Sequence, residues 1–281
     1  MRRLLTGEVR PGGLAAARIL VALAAFPLIL EWWFALHRVA SGSYLVIPVV
    51  TWTPVPTPIM VQALVSLALL AAVLLLLGVF ARTSAALTAT VAGTALLLDQ
   101  QTYSNHLVLF VSLAALLSCS RCGEVLTFPR RRGLSWVPYW PVFLIKLQIS
   151  AVYAYTATSK INEQYLSGEV IGIHQNGVIE FPDAFLPIVA VSSVVAEYVL
   201  AVMLWFPRGK FVATAIGAGL HGGILLVFHD PIALVPFAML MAAGYIQFWA
   251  KPYEPGSPEI GARRTAGDVF TGDRPVAPST A

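Results

Sequence analysis

Residues 59–80, IMVQALVSLALLAAVLLLLGVF, contain no charged side chain. An α-helix rises about 1.5 Å per residue, so about 20 apolar residues cross the ~30 Å hydrocarbon core of a bilayer. This stretch therefore reads as a membrane-spanning helix. Seven others have the same character, and the eight predicted spans cover approximately 14–36, 59–80, 83–100, 103–120, 137–159, 185–206, 211–229 and 231–250. The sequence predicts an all-α, polytopic membrane helix bundle. Composition points the same way: of 281 residues 58% are hydrophobic and only 11% charged, whereas soluble domains carry roughly 25% charged residues. So few charges cannot cover a water-facing surface. An ordinary soluble enzyme, a disordered protein and a nucleic-acid binder are excluded; the pI near 9.2 reflects a net charge of only +4 from dispersed basic residues. Arg2 and Arg3 before an apolar run look like a signal peptide, but the run continues into Glu31, Trp32 and Trp33 without a small-residue cleavage site, so it reads as a retained first helix.

The placement of Lys and Arg orients the spans. Arg2, Arg3, Arg10, Arg82, Arg121, Arg130, Arg131, Arg132, Arg208, Lys210, Lys251, Arg263, Arg264 and Arg274 all fall on one side of an eight-span bundle, and only Arg38 and Lys160 on the other. The positive-inside rule then predicts cytoplasmic N- and C-termini in a bacterial cell (inner) membrane; the excess of Arg over Lys suggests a GC-rich bacterial source. Asp99, Glu163, Glu169, Glu180, Asp183, Asp230, His37, His106, His174 and His229 concentrate polar chemistry on the outer side, while His221 sits near the middle of the seventh span. Phe80 and Arg82, with Gly93, recur as Phe206 and Arg208 with Gly219 at an offset of 126, a short match suggesting parallel repeats. The transmembrane domain is expected over 1–250 and a disordered cytoplasmic tail over 251–281, where no apolar pattern remains.

Within the fifth span, residues 144–160 read LIKLQISAVYAYTATSK. Lys146, Tyr153 and Lys160 are seven apart and share one helix face, with Lys160 at the outer end, about 21 Å from Lys146. Intramembrane charges are costly and face the bundle interior or a wet cavity, although a lysine at a helix end also serves as a snorkelling anchor. Between the third and fourth spans lies 98–106, LDQQTYSNH, where Asp99 and His106 bracket a polar run that is either a solvated loop or part of a site. Glu197 and His221 both fall near the midplane, where they pair with each other or with Arg18, as a helix clasp or a ligand site. Cys119 and Cys122 are a lone pair in a reducing compartment. Without a second pair to relay electrons or further ligands for zinc, they read as inert thiols. A metal site from His106, His174, His229 and Asp230 lacks close ligand spacing, and no metal is expected. The proline-rich stretch 52–58 could lid a cavity or simply start the second helix.

The run from Gln148 to Tyr153 through Ser159, Lys160 and Ile161, followed by 165–168 (YLSG), resembles the signature helix of the vitamin K-dependent gamma-carboxylase-like family, also described as the horizontally transferred transmembrane (HTTM) domain. Asp99 with Asn105 and His106 is similar to its Asp…Asn-His element, and Glu197 followed by Gly219, Leu220 and His221 to its acidic residue and membrane histidine. The resemblance runs from the first to the last span and is strongest over 96–168. It implies that Lys160 matches the lysine acting as base on vitamin K hydroquinone, that His106 supports that chemistry, and that Asp99, Asn105, Tyr153, His221 and Glu197 bind substrate or cofactor. The implied cofactor is a quinol or vitamin K-like lipid met from the bilayer. Two departures stand out. The carboxylases carry a large extramembrane region that binds their glutamate substrate, whereas only 251–281 follow here, and Tyr165 stands where the family often has Trp. The expectation is therefore base chemistry by Lys160 on a quinol-like lipid or a peptide at the extracytoplasmic side, not protein glutamate carboxylation. The alternatives are a non-catalytic accessory protein for maturation, export or immunity of a secreted peptide, and a small transporter coupled through Glu197 and His221.

Overall fold

The structure, a computed structural model, describes residues 7–129, 136–228 and 231–253, with the side chains of 231–233 excepted. It is an all-α polytopic bundle. The helices are α1 (Gly12–Ala40), α2 (Pro58–Leu77), α3 (Ala81–Leu98), α4 (Asn105–Ser118), α5 (Trp140–Ser159), the short α6 (Glu163–Leu166) and α7 (Glu169–His174), then α8 (Leu186–Met203), α9 (Lys210–Val227) and α10 (Pro231–Trp249). Each of the eight predicted spans coincides with one of the longer helices. Among the described residues, five segments are long and apolar enough to cross a bilayer: Gly12–Ala40, Pro58–Leu77, Ala81–Leu98, Asp183–Met203 and Lys210–Val227. Two of the other three depart from the expectation for physical reasons; the third, α10, is 19 residues long and apolar by sequence. Helix α4 has only 14 residues. Helix α5 has 20 residues but carries Lys146, Gln148, Ser150, Ser159 and two threonines. A helix flanked by protein can satisfy such groups with its neighbours and needs neither the length nor the uniform apolarity of a lipid-facing one.

Helix α1 is the central post, packed most extensively against α10 and α2. Its buried Ala15, Ala17, Ala22, Ala24 and Ala25 let neighbouring backbones approach closely, the packing mode available where water supplies no drive between helices. Helices α3 and α4 pack together, as do α5 and α8. Helix α9 is the loosest, with 17% of its span buried. Helices starting at 12, 58, 81 and 105 are followed by helices starting at 140, 186, 210 and 231, offsets of 128, 128, 129 and 126, so the helix spacing repeats as the short sequence match suggested. The packing does not repeat with it: α3 lies far more closely on α4 than α9 does on α10.

The two ends of the bundle are chemically distinct. At one end the short strands β1 (Glu8–Val9) and β2 (Val137–Pro138) pair antiparallel, and the Tyr253 N–H donates to the Glu8 carbonyl. Arg10, Arg82, Arg121, Arg208, Lys210 and Lys251 cluster at this end. Here α2 turns into α3 through Gly78, which caps α2 at φ +72. A Cβ at Gly78 would also run into the buried Arg18 guanidinium, so both the backbone angle and the space favour glycine. The opposite end holds Asp99, Glu163, Glu169, Glu180 and Asp183 among the described residues. Arg2, Arg3, Arg130, Arg131, Arg132, His229, Asp230 and the predicted tail from 254 lie outside those residues.

The positive-inside rule predicts that the basic end faces the cytoplasm. On a Cys119→Ser, Cys122→Ser background, Val178→Cys should react with an impermeant thiol reagent in intact cells, and Pro207→Cys only after permeabilisation. The reverse labelling pattern would invert the orientation.

Candidate functional site at the acidic end

Lys160 caps the C-terminus of α5, its N–H bonded to the Thr156 and Ala157 carbonyls. From there its side chain turns into the bundle. Nζ donates to Glu197 Oε1 at 2.8 Å, with the lysine side chain 24% and the glutamate side chain 6% exposed. The chain then doubles back. Asn162 caps α6 by accepting from the Tyr165 N–H at 2.9 Å, which sets the Tyr165 ring 5.2 Å below the Lys160 ammonium. The Tyr165 hydroxyl pairs with Ser193 Oγ at 2.8 Å. Ser193 and Glu197 are four apart on α8 and so share a face; one anchors the tyrosine and the other the lysine. Gly168, at φ +84, completes the turn where any Cβ would strike the Leu186 backbone. The YLSG run is thus read in three dimensions as ring, turn and close approach.

Beside this ion pair lies a pocket of about 490 Å³ between α8 and α9, reached by Lys160 and Tyr165 and walled by Val189, Ala196, Ile216 and Leu220. Gly219 and Gly223 line it too, and nothing lies within 4 Å of where their Cβ atoms would stand. Glu197 Oε2, the oxygen not used by Lys160, is buried without a hydrogen-bond partner.

Tyr153 lies two turns inward of Lys160 on α5. Its hydroxyl meets His221 Nε2 of α9 at 2.9 Å and the Tyr245 hydroxyl of α10. A neutral chain closes when Tyr245 donates to Tyr153 and Tyr153 donates to Nε2. A side chain at Gly217 would collide with the Tyr245 hydroxyl, so glycine admits the third member. The pairings expected for Glu197 and His221 are not the ones formed. Glu197 goes to Lys160, His221 to Tyr153, and Arg18 lies at the basic end, where it donates to the Leu126 carbonyl.

His106 belongs to a separate pair. Its Nε2 meets Glu31 Oε2 at 2.6 Å, joining α4 to α1. Glu31 carried no predicted role, although a carboxylate inside an apolar span was itself the signal. Asp99 is fully buried and ties three segments together: Oδ2 accepts from the Ile47 N–H at 2.8 Å and Oδ1 from the Gln101 N–H at 2.9 Å. Exposed Asn105 accepts from the Tyr103 hydroxyl at 3.0 Å. No hydrogen bond or ion pair among the described residues joins His106, Asp99 or Asn105 to Lys160, and none of the three lines its pocket. Lys146, expected on the same helix face as Tyr153, is buried there and donates to the Tyr139 hydroxyl at 3.0 Å. His174 is exposed, its Nδ1 bonded to the Val170 carbonyl at 2.8 Å. The described residues contain no cluster of three or more metal-ligating side chains. Trp52 is 79% exposed, and residues 52–58 line neither the Lys160 pocket nor the cavity at the basic end.

A family model describing the HTTM domain matches residues 8–248. The chain belongs to the HTTM domain family. That match takes in every helix of the bundle and both polar pairs. No curated protein and no solved structure matches the chain. This HTTM protein is a multi-pass membrane protein whose acidic end gathers one lysine–glutamate pair, one histidine–glutamate pair and an apolar pocket.

The two cysteines lie at the basic end, away from these groups, and both are free thiols. Burial pushes the Cys122 thiol up from its ordinary value, which lowers its thiolate fraction at neutral pH. In the folded protein a maleimide should therefore modify exposed Cys119 and spare Cys122 until unfolding. Cys119→Ser with Cys122→Ser should leave expression and phenotype nearly unchanged; loss of function with normal insertion would restore a redox role.

Proposed function

We propose that this HTTM protein performs base-assisted chemistry on a lipid-soluble, quinol-like substrate, with Lys160 as the base and the reaction at the extracytoplasmic side. The observation that carries this reading is the Lys160–Glu197 contact at the mouth of an apolar pocket. A quinol headgroup would supply an acidic hydroxyl and an apolar body when bound. The residues present fit such a group: Val189, Ala196, Ile216 and Leu220 offer apolar walls, and Lys160 and Tyr165 bring the polar groups that would meet a hydroxyl.

Lysine acts as a base only without its proton. Transfer across the 2.8 Å contact from Nζ to Oε1 leaves a neutral amine and a neutral carboxylic acid, a pair that costs less to keep in an apolar setting than two isolated ions. The amine then takes a proton from the substrate hydroxyl, and the resulting ammonium lies beside the anion it has made. Tyr165 holds Nζ over its ring and Ser193 holds Tyr165, so the base is positioned before substrate arrives. His106 with Glu31 lies outside the Lys160 pocket and takes no step in this reading. Tyr153 and His221 fix α5 and α9 around the pocket.

Arginine preserves charge and length but cannot deprotonate at accessible pH. Lys160→Arg and Lys160→Ala should both abolish function, by at least the roughly hundredfold that a positioned general base contributes, while the proteins insert and purify normally. Glu197→Gln should weaken function by a similar factor. Full activity of Lys160→Arg would overturn the enzyme reading and leave the alternative, a non-catalytic accessory protein acting on a secreted peptide.

A further inference from the structure

A second cavity, of about 910 Å³, opens at the basic end between the start of α1, the end of α10 and Trp136. It owes its existence to the terminal clasp. Pairing of Val9 with Val137 and the bond from the Tyr253 N–H to Glu8 bring three distant chain segments together. Each of them delivers a cation, a ring or both to one mouth: Arg10 from the first, Trp136 from the second, Trp249, Lys251 and Tyr253 from the third. The Arg10 guanidinium lies 5.8 Å from the centroid of the Trp136 ring, whose own centroid is 4.9 Å from that of Tyr253. Lys210 stands on the flank, 4.5 Å from the Trp249 ring. Helix α1 starts at this cavity with Gly12 and Gly13, and no side chain caps its first amides. No carboxylate lines the cavity among the described residues.

We propose that this cavity is a binding site for one anionic phospholipid. The phosphate lies between Arg10 and Lys251, the glycerol ester region lies against Trp136 and Tyr253, and an acyl chain leaves along Ile246 and Trp249. Three observations select that ligand chemistry. The two cations both line the cavity and no carboxylate among the described residues does, so the occupant is an anion. The remaining wall is aromatic and aliphatic, so the occupant is amphipathic and not a bare inorganic ion. The level is the basic end of a membrane bundle, where aromatic rings mark the interface and basic pockets between helices hold anionic headgroups. The site is independent of the Lys160 reading, from which it is separated by the length of the bundle.

The test uses the full chain purified in detergent, with phosphatidylglycerol and phosphatidylcholine of identical acyl chains as probes and lipid retention read by native mass spectrometry. Phosphatidylglycerol should bind preferentially. A basic residue near an anionic lipid is worth roughly a fivefold change in binding, so Arg10→Gln should weaken it about fivefold and Arg10→Gln with Lys251→Gln about twenty-five-fold. Arg10→Lys keeps the charge and should retain binding, which controls for loss of fold. Arg208→Gln removes an exposed cation at the same end but outside the cavity and should change nothing. Equal retention of the two lipids would overturn the proposal, as would wild-type binding by the double variant. Full displacement of phosphatidylglycerol by equimolar inorganic phosphate would assign the site to free phosphate and overturn it equally.

Discussion

An ammonium group carried into an apolar bundle has to meet its counter-charge on another helix, and the contact between Lys160 on α5 and Glu197 on α8 answers that demand. Water is absent from the hydrocarbon core, so polar groups must be satisfied by the protein itself. The surrounding architecture follows from this one pair. α5 has to end at Lys160, α8 has to present Glu197 inward, and the chain between them has to double back so that Tyr165 can close over the lysine. Gly168 makes that return possible by allowing backbone to pass against Leu186. The pair is unequal: Glu197 is buried while Lys160 keeps about a quarter of its side chain accessible. Lys160 is therefore the member open to a ligand, and Glu197 is the member that holds it.

Several other buried polar groups obey the same rule by cheaper means. Tyr153, His221 and Tyr245 form a neutral hydrogen-bonded chain across three helices, which avoids the desolvation cost of an ion pair. Lys146 reaches the Tyr139 hydroxyl and the rings of Tyr139 and Phe248. Asp99 neutralises the start of a turn by accepting from two backbone amides. Each interaction fixes a helix or loop whose apolar contacts alone would leave it free to slide, because lipid tails and leucine side chains are equally apolar. The looseness of α9 is the exception that makes room for a pocket. Gly219 and Gly223 face it, while Gly217 and His221 on another face and the Leu226 and Val227 carbonyls at its end pin the helix.

Much of the fold was legible in the chain. Each predicted span met a helix because apolar length is dictated by bilayer thickness, a constraint written one segment at a time. The uncharged run 59–80 was the clearest case; α5, with Lys146 and its threonines, was the least clear, since a helix walled by protein escapes the lipid rule. The separation of basic from acidic ends was equally legible, as it follows from alternation of span direction and the placement of Arg and Lys. The candidate site was legible in part. Lys160, Tyr153, His221 and Glu197 all stand around one end of α5. Their pairings were not legible, because Glu197 lies 37 residues from Lys160 and His221 lies 68 from Tyr153, and helical periodicity places a residue on a face without naming the neighbour of that face.

The chain by itself determined that this protein lives in a membrane, where its helices run, how its charges divide between the ends and which residues bear reactive groups. These are local properties, fixed by hydropathy and by side-chain chemistry. Only the tertiary structure decided that Glu31 serves His106, that Glu197 serves Lys160, and that Arg10, Trp136 and Lys251 surround one cavity. Those choices depend on which helix packs beside which, and packing among helices is set by small residues, by turns such as Gly78 and Gly168, and by the demand that every buried polar atom find a partner in space, whatever its distance along the chain.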